Sequence, residues 1–167
     1  MMHAMVRALI GAVVLGAAGA SAHDFDAAAQ DAERRRIAEA FGWDLAAAPV
    51  TGEAINERLH VLFGVGGNVL VSYGEDGVLL VDDQFPEMVP KLEAAIGELH
   101  DGAVDFVVNT HWHFDHADGN LALGPGGAWL VSQANSRDMM LDTHVIDLVA
   151  AQYTQQASPP AALPVIT

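Results

Sequence analysis

The sequence predicts an α/β fold, and three observations support this prediction. Hydrophobic residues make up 51% of the 167 residues, which is enough to build a buried core. A strand pattern at residues 78–81 is followed by an amphipathic helix pattern and then by a second strand pattern at residues 104–108. Ligand-type side chains cluster directly after that second strand, where α/β folds place their functional sites.

The chain begins its folded part with a predicted helix and two predicted strands. Residues 24–41 have helical composition, and Gly42 is suited to end the helix. We expect residues 42–58 to form a connector. Two β-prone runs then predict strands at residues 59–63 and 69–73. A glycine-rich segment at residues 64–68 separates them. These glycines lack the spacing of a dinucleotide-binding loop and precede a strand rather than a helix, so that kind of site is excluded.

The centre of the chain predicts a strand–helix–strand unit. Residues 78–81 form an apolar strand that ends at Asp82 and Asp83. Pro86 suits the first turn of a helix whose apolar residues share one face, at positions 89, 92, 96 and 99. The strand at residues 104–108 then completes a right-handed parallel crossover.

The last third of the chain predicts one more strand and a long helical stretch. After a polar loop, residues 128–131 have strand character. Residues 133–155 are expected to be helical, with one break near Thr143. Residues 158–160 have the composition of a linker, and residues 163–167 that of the start of another strand.

The first 22 residues have the three-part layout of a secretory signal peptide. A short start with one arginine precedes an apolar run at residues 8–18, and Ala20-Ser21-Ala22 supplies a small-residue cleavage site. A membrane anchor is the alternative, but this apolar segment is shorter than the roughly 20 residues that a spanning helix needs. We therefore expect a periplasmic or secreted protein that has no contact with the membrane once the signal peptide is cleaved.

The charge and the cysteine count exclude several classes of function. The 22 acidic residues outnumber the 7 basic ones, which gives a formal net charge of −15. Such a chain is repelled by phosphate backbones and anionic lipids, so we expect no nucleic-acid partner. The absence of cysteine excludes disulfides, iron–sulfur clusters and a thiol nucleophile. A small-molecule substrate is the expected partner.

The segment with the clearest chemistry follows the strand at residues 104–108. His111, His113, Asp115 and His116 place four ligand-type side chains within six consecutive positions. Nitrogen and carboxylate donors without sulfur suit Zn²⁺, with Mn²⁺ or Fe²⁺ as alternatives. The natural division puts the first two histidines on one metal and Asp115 with His116 on a second. Two metals roughly 4 Å apart can hold a bridging water that becomes the nucleophile, a metal-bound hydroxide.

His111-Trp112-His113-Phe114-Asp115-His116 resembles the His-x-His-x-Asp-His motif of the metallo-β-lactamase fold superfamily. The glycine-rich segment at residues 64–68 and the strand that ends at Asp82 are also similar to the first half of that fold. The resemblance implies the N-terminal half of a four-layer αβ/βα sandwich at residues 59–167. Residues 23–58 then supply the N-terminal helix and connector.

The resemblance also implies roles for the site residues. Two Zn²⁺ ions would be bound by the four motif ligands, and Asp115 would also orient the attacking hydroxide, which makes it the catalytic candidate. Asp82 would lie behind the metals and orient a ligand, the alternative being an ordinary acidic turn residue. The implied activity is hydrolysis of a small-molecule carbonyl compound such as a lactam, a lactone or a thioester, by a secreted enzyme, with phosphate and sulfate esters as the alternative substrates.

The ligand set of this chain is incomplete by the same comparison. A catalytic zinc normally has three protein ligands, whereas the motif supplies two per metal. In the family, further ligands come from the second half of the fold, beyond Thr167, so we expect a C-terminally truncated chain. The other five histidines are not expected to replace them, namely His3, His23, His60, His100 and His144. A non-catalytic or vestigial metal-binding fragment is therefore the alternative function, and the oligomeric state is open.

Overall fold

The computed structural model describes residues 25–167, and the predicted signal peptide lies outside them. Its main feature is one six-stranded sheet with the strands in sequence order. The first four strands are antiparallel, and β4, β5 and β6 are parallel. The strands are β1 (Thr51–Asn56), β2 (Leu59–Phe63), β3 (Val69–Gly74), β4 (Gly77–Val81), β5 (Phe106–Asn109) and β6 (Trp129–Ser132).

Five α-helices and a separate hairpin accompany this sheet in the described part of the chain. The helices are α1 (Ala27–Phe41), α2 (Val89–Gly97), α3 (Phe114–Ala117), α4 (Asn120–Gly126) and α5 (Ala134–Met140). The hairpin consists of β7 (His144–Asp147) and β8 (Gln152–Gln155), and a 3₁₀ turn follows at Pro160–Ala162. The predicted α/β class is therefore confirmed.

One face of the sheet carries the hydrophobic core. Alternate residues of the central strands, including Val71, Leu80 and Val107, are fully or almost fully buried. Leu92 and Ile96 of α2 are buried in the same core, as their spacing in the sequence predicts. The helix therefore covers this face within the β4–α2–β5 crossover.

Apolar side chains also occupy the other face of the sheet, but they are only partly covered. The register places Leu79, Phe106 and Trp129 in one row across β4, β5 and β6. Phe106 is 37% exposed and Trp129 55% exposed, whereas their strand neighbours on the core face are buried. Half of a four-layer sandwich would leave such a face without its partner sheet.

The first helix ends where the sequence predicts. The Asp26 side chain accepts a hydrogen bond from the Ala29 N–H at its start, and Gly42 has the left-handed φ of +69° that stops a helix. The connector prediction is wrong in part because β1 forms within residues 42–58 and pairs with β2. The side chains of β1 are all exposed, so the strand has no buried apolar pattern by which sequence alone reveals it.

The prediction of a helix over residues 133–155 is wrong beyond Met140. Only α5 is helical, and the remainder forms the β7–β8 hairpin. Val145, Ile146 and Tyr153 favour strands, and Tyr153 is completely buried as a strand residue. The helical prediction failed because burial of this ring depends on α1 and the motif, which are distant in sequence.

Two other segments differ from or extend the sequence predictions. The loop expected between β5 and β6 contains α3 and α4. The predicted strand start near the C-terminus is present as a parallel bridge between Val131 and Ile166, at the edge of β6. Within residues 25–167, no helix has the length and apolar character to cross a membrane.

Candidate metal site

The ligand-type residues lie at the carboxyl ends of the parallel strands. β5 ends at Asn109, and the chain then bends through His111 before α3 begins. His113 is the last extended residue before α3, with φ −65° and ψ 146°. Asp115 and His116 are on the helix itself. The change from extended chain to helix turns four nearby positions toward one cleft.

The three histidine rings of the motif are in mutual contact. The ring centroids of His111 and His113 are 4.8 Å apart, and those of His111 and His116 are 4.2 Å apart. The His116 Nε2 atom lies 3.5 Å from the Asp115 Oδ2 atom. The structure thus brings all four predicted ligands together in one cleft.

Asp82 is buried behind these side chains, and its carboxylate accepts three hydrogen bonds. Its carboxylate accepts from the Thr110 N–H at 2.7 Å, from the Thr110 hydroxyl at 2.8 Å and from His116 Nδ1 at 2.7 Å. Its backbone has a positive φ of 63°, a conformation that non-glycine residues rarely adopt and that concentrates at functional sites. Asp82 is therefore tied to the motif rather than being an isolated turn acid.

These bonds determine which nitrogen of each ring remains free. A carboxylate only accepts, so His116 must donate through Nδ1 and its Nε2 keeps a lone pair. The Thr110 hydroxyl donates to Asp82, so it accepts from His111 Nδ1, 3.0 Å away. The Nε2 atom of His111 is then also available to a cation. Outer carboxylates orient metal-binding histidines in this way.

The glycine-rich segment has a steric function at this site. The N–H of Gly67 donates to the carbonyl oxygen of Asp115 at 3.0 Å, which brings the two backbones together. A Cβ atom at Gly67 would overlap the His116 ring. Gly66 has φ +94°, which strongly favours glycine. The segment rejected as a dinucleotide loop therefore allows the His116 ring to approach the backbone.

The protonation of the histidines suits binding of a cation. Burial lowers the pKa of His111 and of His113, so both imidazoles are neutral near pH 7. The hydrogen bond that His116 donates to Asp82 raises the pKa of His116. Near neutral pH the rings of His111 and His113 thus offer lone pairs. At His116, a metal has to compete more strongly with a proton for the ring nitrogen.

The β7–β8 hairpin packs directly on the motif. The Tyr153 ring lies against Phe114 with 4.0 Å between the ring centroids. Gln155 Nε2 donates to the Trp112 carbonyl oxygen at 2.7 Å, and the His144 ring lies 4.8 Å from that of Trp112. Trp112 and Phe114 therefore make packing contacts with the hairpin.

The cleft over the motif has an apolar wall on each side. Phe41 and Trp43 follow from the end of α1, and Leu148 and Val149 form the tip of the hairpin. Together with Phe114 and the four ligand-type residues they enclose about 360 Å³, a volume typical of small-molecule sites. Sequence reasoning missed Leu148 and Val149 because the hairpin was predicted as helix, and it missed Phe41 and Trp43 because they are distant in sequence from the motif. Sequence reasoning also gave no role to the Thr110 hydroxyl. The position of Thr110 directly before His111 is the sequence signal that could have suggested one.

A metal would be held here by pairs of donors. His111 with His113, and Asp115 with His116, provide the neutral nitrogen and carboxylate donors that zinc accepts, with outer hydrogen bonds in place. The chemistry of the donors thus fits the predicted cation. However, residues 25–167 contain no group of three or more His, Asp or Glu side chains arranged around one metal position.

The remaining histidines of the described chain have other partners. His60 and His100 flank the Tyr73 ring, with centroid distances of 5.6 and 5.8 Å. His144 Nε2 donates to the Met139 carbonyl oxygen at 2.9 Å. None of the three lines the cleft over the motif. His3 and His23 lie outside the described residues.

Comparisons with known proteins identify the fold. The sequence matches no protein-family model and no curated protein. Similar solved structures include a B3 metallo-β-lactamase with an active-site glutamic acid, with a TM-score of 0.54, 21% identity and coverage of 66% of this chain and 41% of that one. MEM-A1, a subclass B3 metallo-β-lactamase from a soil metagenome library, gives a TM-score of 0.52, 22% identity and coverages of 60% and 39%. The metallo-β-lactamase SMB-1 gives 0.51, 23%, 59% and 39%.

These similarities show that the chain has part of the metallo-β-lactamase fold. The predicted resemblance and the predicted fold class are confirmed. The matched region spans about two fifths of each of the three enzymes. The identities are too low to transfer an activity, so the function has to be argued from the site itself.

Proposed function

We propose that this chain is part of an exported zinc-dependent hydrolase whose metals are held by His111, His113, Asp115 and His116. The observation that supports this most strongly is the hydrogen bond from His116 Nδ1 to the buried Asp82. It leaves Nε2 of the ring 3.5 Å from the Asp115 carboxylate. A buried carboxylate that orients one ring toward another donor is the arrangement expected around a protein-bound metal.

The residues of the site have separable tasks in this proposal. Zinc would supply a Lewis acid and a water molecule of lowered pKa. Asp82 and Thr110 orient the rings of His116 and His111. Asp115 would both bind zinc and accept a hydrogen bond from the attacking water. This hydrogen bond would aim the oxygen lone pair at the substrate carbonyl.

The reaction class follows from the donor set and from the related structures. The three similar enzymes are named as metallo-β-lactamases, so hydrolysis of a lactam is one possibility for this cleft. Lactones and thioesters have the same reacting carbonyl group and are equally compatible with the ligand-type residues. Export is supported by the layout of residues 1–22. The proposed location is therefore the periplasm or the outside of the cell. The proposed substrate is a small molecule, and no nucleic-acid or membrane partner is expected.

Zinc binding by the full chain tests the metal part of this proposal. We expect equilibrium dialysis against micromolar Zn²⁺ to load the wild-type protein. His116→Ala should weaken binding by about tenfold or more because it removes a ligand. His100→Ala is the matched control, since His100 contacts Tyr73 and not the cleft. Equal zinc binding by all three proteins, or none by the wild type, would contradict the assignment.

Hydrolysis tests the catalytic part. A chromogenic cephalosporin, a lactone and a thioester should be assayed with the zinc-loaded chain. Catalysis by this chain alone predicts turnover of at least one substrate, lost in Asp115→Ala and retained in His100→Ala. No turnover of any of the three would contradict catalysis by this chain.

One observation favours a second function. Residues 25–167 do not assemble three ligand-type side chains around one position, whereas catalytic zinc sites usually have three protein ligands. A non-catalytic or vestigial metal-binding protein is consistent with this. It predicts zinc binding that depends on His116 with no hydrolysis of the three substrates, and so differs from the main proposal in one measurement only.

A further inference from the structure

The geometry points to a substrate class for this cleft: an uncharged carbonyl compound whose apolar alkyl or aryl group packs between Phe41–Trp43 and the hairpin tip Leu148–Val149. This inference rests on the proposed function, because it takes the motif as the end of the cleft that holds the carbonyl group. To the proposed function it adds an apolar surface that selects the substrate and that is formed by two elements outside the motif.

The wall at the end of α1 is a fixed aromatic surface. Phe41 and Trp43 stack with ring centroids 4.8 Å apart and an interplanar angle of 21°. Trp43 also contacts the completely buried Phe85 edge to face, with 5.9 Å between the ring centroids. The backbone N–H of Trp43 donates to the Ala38 carbonyl oxygen at 2.8 Å. The surface is therefore anchored to the core and ready to receive an apolar group without reorganisation.

The opposite wall is the tip of the β7–β8 hairpin. Leu148 is half-buried and its N–H donates to the Ala151 carbonyl oxygen at 2.9 Å, which closes the turn. Val149 at the tip is fully exposed, although it lines the cleft over the motif. An apolar ligand group placed between the tip and Trp43 would remove this side chain from water, which is favourable.

The apolar end of the cleft contains no cationic side chain of the described residues. Asp115 is the one acidic residue that lines the cleft, and no lysine or arginine of residues 25–167 lines it. Five of the six basic side chains there have hydrogen-bond partners elsewhere, namely Arg34, Arg35, Arg36, Lys91 and Arg137, and the sixth, Arg58, lies beside Gly74. A carboxylate at the apolar end would lose hydration without gaining a cationic partner. This end of the cleft therefore selects against anions.

A pair of ketones that the site cannot hydrolyse isolates this selectivity. 4-Methylacetophenone and 4-acetylbenzoate have the same ring and the same acetyl group, and they differ by a methyl group against a carboxylate. Binding to the full chain is followed by the indole N–H signals in ¹H–¹⁵N spectra, assigned with Trp43→Phe. Trp129 serves as an internal reference, because it is 55% exposed on the sheet and does not line the cleft.

In the chelator-treated protein we expect 4-methylacetophenone to shift the Trp43 signal saturably and to bind at least about tenfold more tightly than 4-acetylbenzoate. Val149→Ser should weaken binding of the neutral ketone by about threefold or more, since it removes apolar contact at the tip. Val145→Ser is the matched control, because Val145 is 62% exposed on the same hairpin but outside the cleft. Equal or tighter binding of the anion would overturn the inference. So would equal shifts of Trp129, or equal effects of the two valine variants.

The same titration separates this inference from the proposed function. It is carried out on chelator-treated protein and again after addition of zinc. If the protein binds no zinc but the neutral ketone still shifts Trp43 and depends on Val149, the hydrolase proposal fails and the apolar cleft stands. If zinc binds and the ketone does not shift Trp43 in either form, the cleft inference fails alone.

Discussion

The residue that connects the sequence motif to a working geometry is Asp82. Its carboxylate accepts two hydrogen bonds from Thr110 and one from His116, and its own φ of 63° directs it into the site. The motif residues themselves were identifiable from spacing alone. The choice between an orienting carboxylate and a turn acid required the fold, because it depends on a contact across 34 positions of sequence.

Replacing Asp82 tests this orienting role. Asp82→Asn keeps the size of the side chain but removes the charge, so we expect zinc affinity to fall about 10- to 100-fold. The pKa of His116 should also fall, since the hydrogen bond that His116 donates to the Asp82 carboxylate is the main cause that raises it. Dialysis with zinc and an NMR titration of the metal-free protein measure the two effects. An unchanged His116 pKa would contradict the role given to Asp82.

The neighbouring Asp83 makes a prediction about pH. It is completely buried, and burial with the nearby Asp118 and Asp82 raises its pKa well above the ordinary value of 3.8. A raised folded-state pKa means that the native protein binds the proton more tightly than the unfolded chain does. This contribution to stability is complete below pH 3.8 and is lost as pH rises toward the folded-state pKa.

Asp83→Asn should therefore make stability less dependent on pH. Between pH 5 and pH 8 we expect the free energy of unfolding of the wild type to fall by about 1 kcal/mol or more relative to the variant. Asp118, whose pKa is raised to about 7 by burial, has the same sign and remains in both proteins. Urea unfolding of the metal-free proteins at the two pH values makes the comparison. Parallel pH profiles would show that Asp83 ionises without cost.

At the scale of elements, the β7–β8 hairpin and α1 build the outer part of the site. Gln155 and Tyr153 of the hairpin contact the motif, while the Thr154 N–H donates to Glu33 of α1 at 2.8 Å. The central crossover was predictable because its apolar residues repeat on one face of α2. The hairpin was not, because its short strands are stabilised by tertiary contacts rather than by a regular local pattern.

The Tyr153 hydroxyl is the polar centre of this packing. It donates to Asp118 Oδ2 at 3.2 Å and accepts from Gln30 Nε2 of α1, both in the buried interior. Tyr153→Phe leaves both groups without this partner, so we expect a loss of about 1–3 kcal/mol in the free energy of unfolding. The control is Tyr73→Phe, since that hydroxyl is half-buried and lies 3.3 Å from His60. Urea unfolding at one pH measures both, and equal losses would contradict the prediction.

At the scale of the whole molecule, the sheet presents an apolar face that its own helices do not cover. Phe106 and Trp129 are exposed there, beside half-buried Leu79 in the same row. Half of a four-layer sandwich would leave this face without its partner sheet. The structure adds which side chains form it, which sequence alone leaves open because strand register depends on pairing partners.

This face predicts self-association of the isolated chain, because large contiguous apolar patches are rarely left exposed in monomers. We expect the double variant Phe106→Lys with Trp129→Lys to lower the apparent mass in size-exclusion chromatography. Val145→Lys is the control, since it places a charge on an equally exposed valine of the hairpin. An apparent mass that is the same for the wild type and the double variant would show that this face does not mediate association.

The central claim is that the motif histidines form a metal site held by Asp82, and a residue-resolved zinc titration tests it most directly. The measurement follows the imidazole nitrogens of the full chain by ¹⁵N NMR while Zn²⁺ is added. We predict large shifts of His111, His113 and His116 at about the same zinc concentration, and unchanged signals for the two remote histidines, His60 and His100. Shifts at those remote histidines, with none at His111, His113 and His116, would contradict the account.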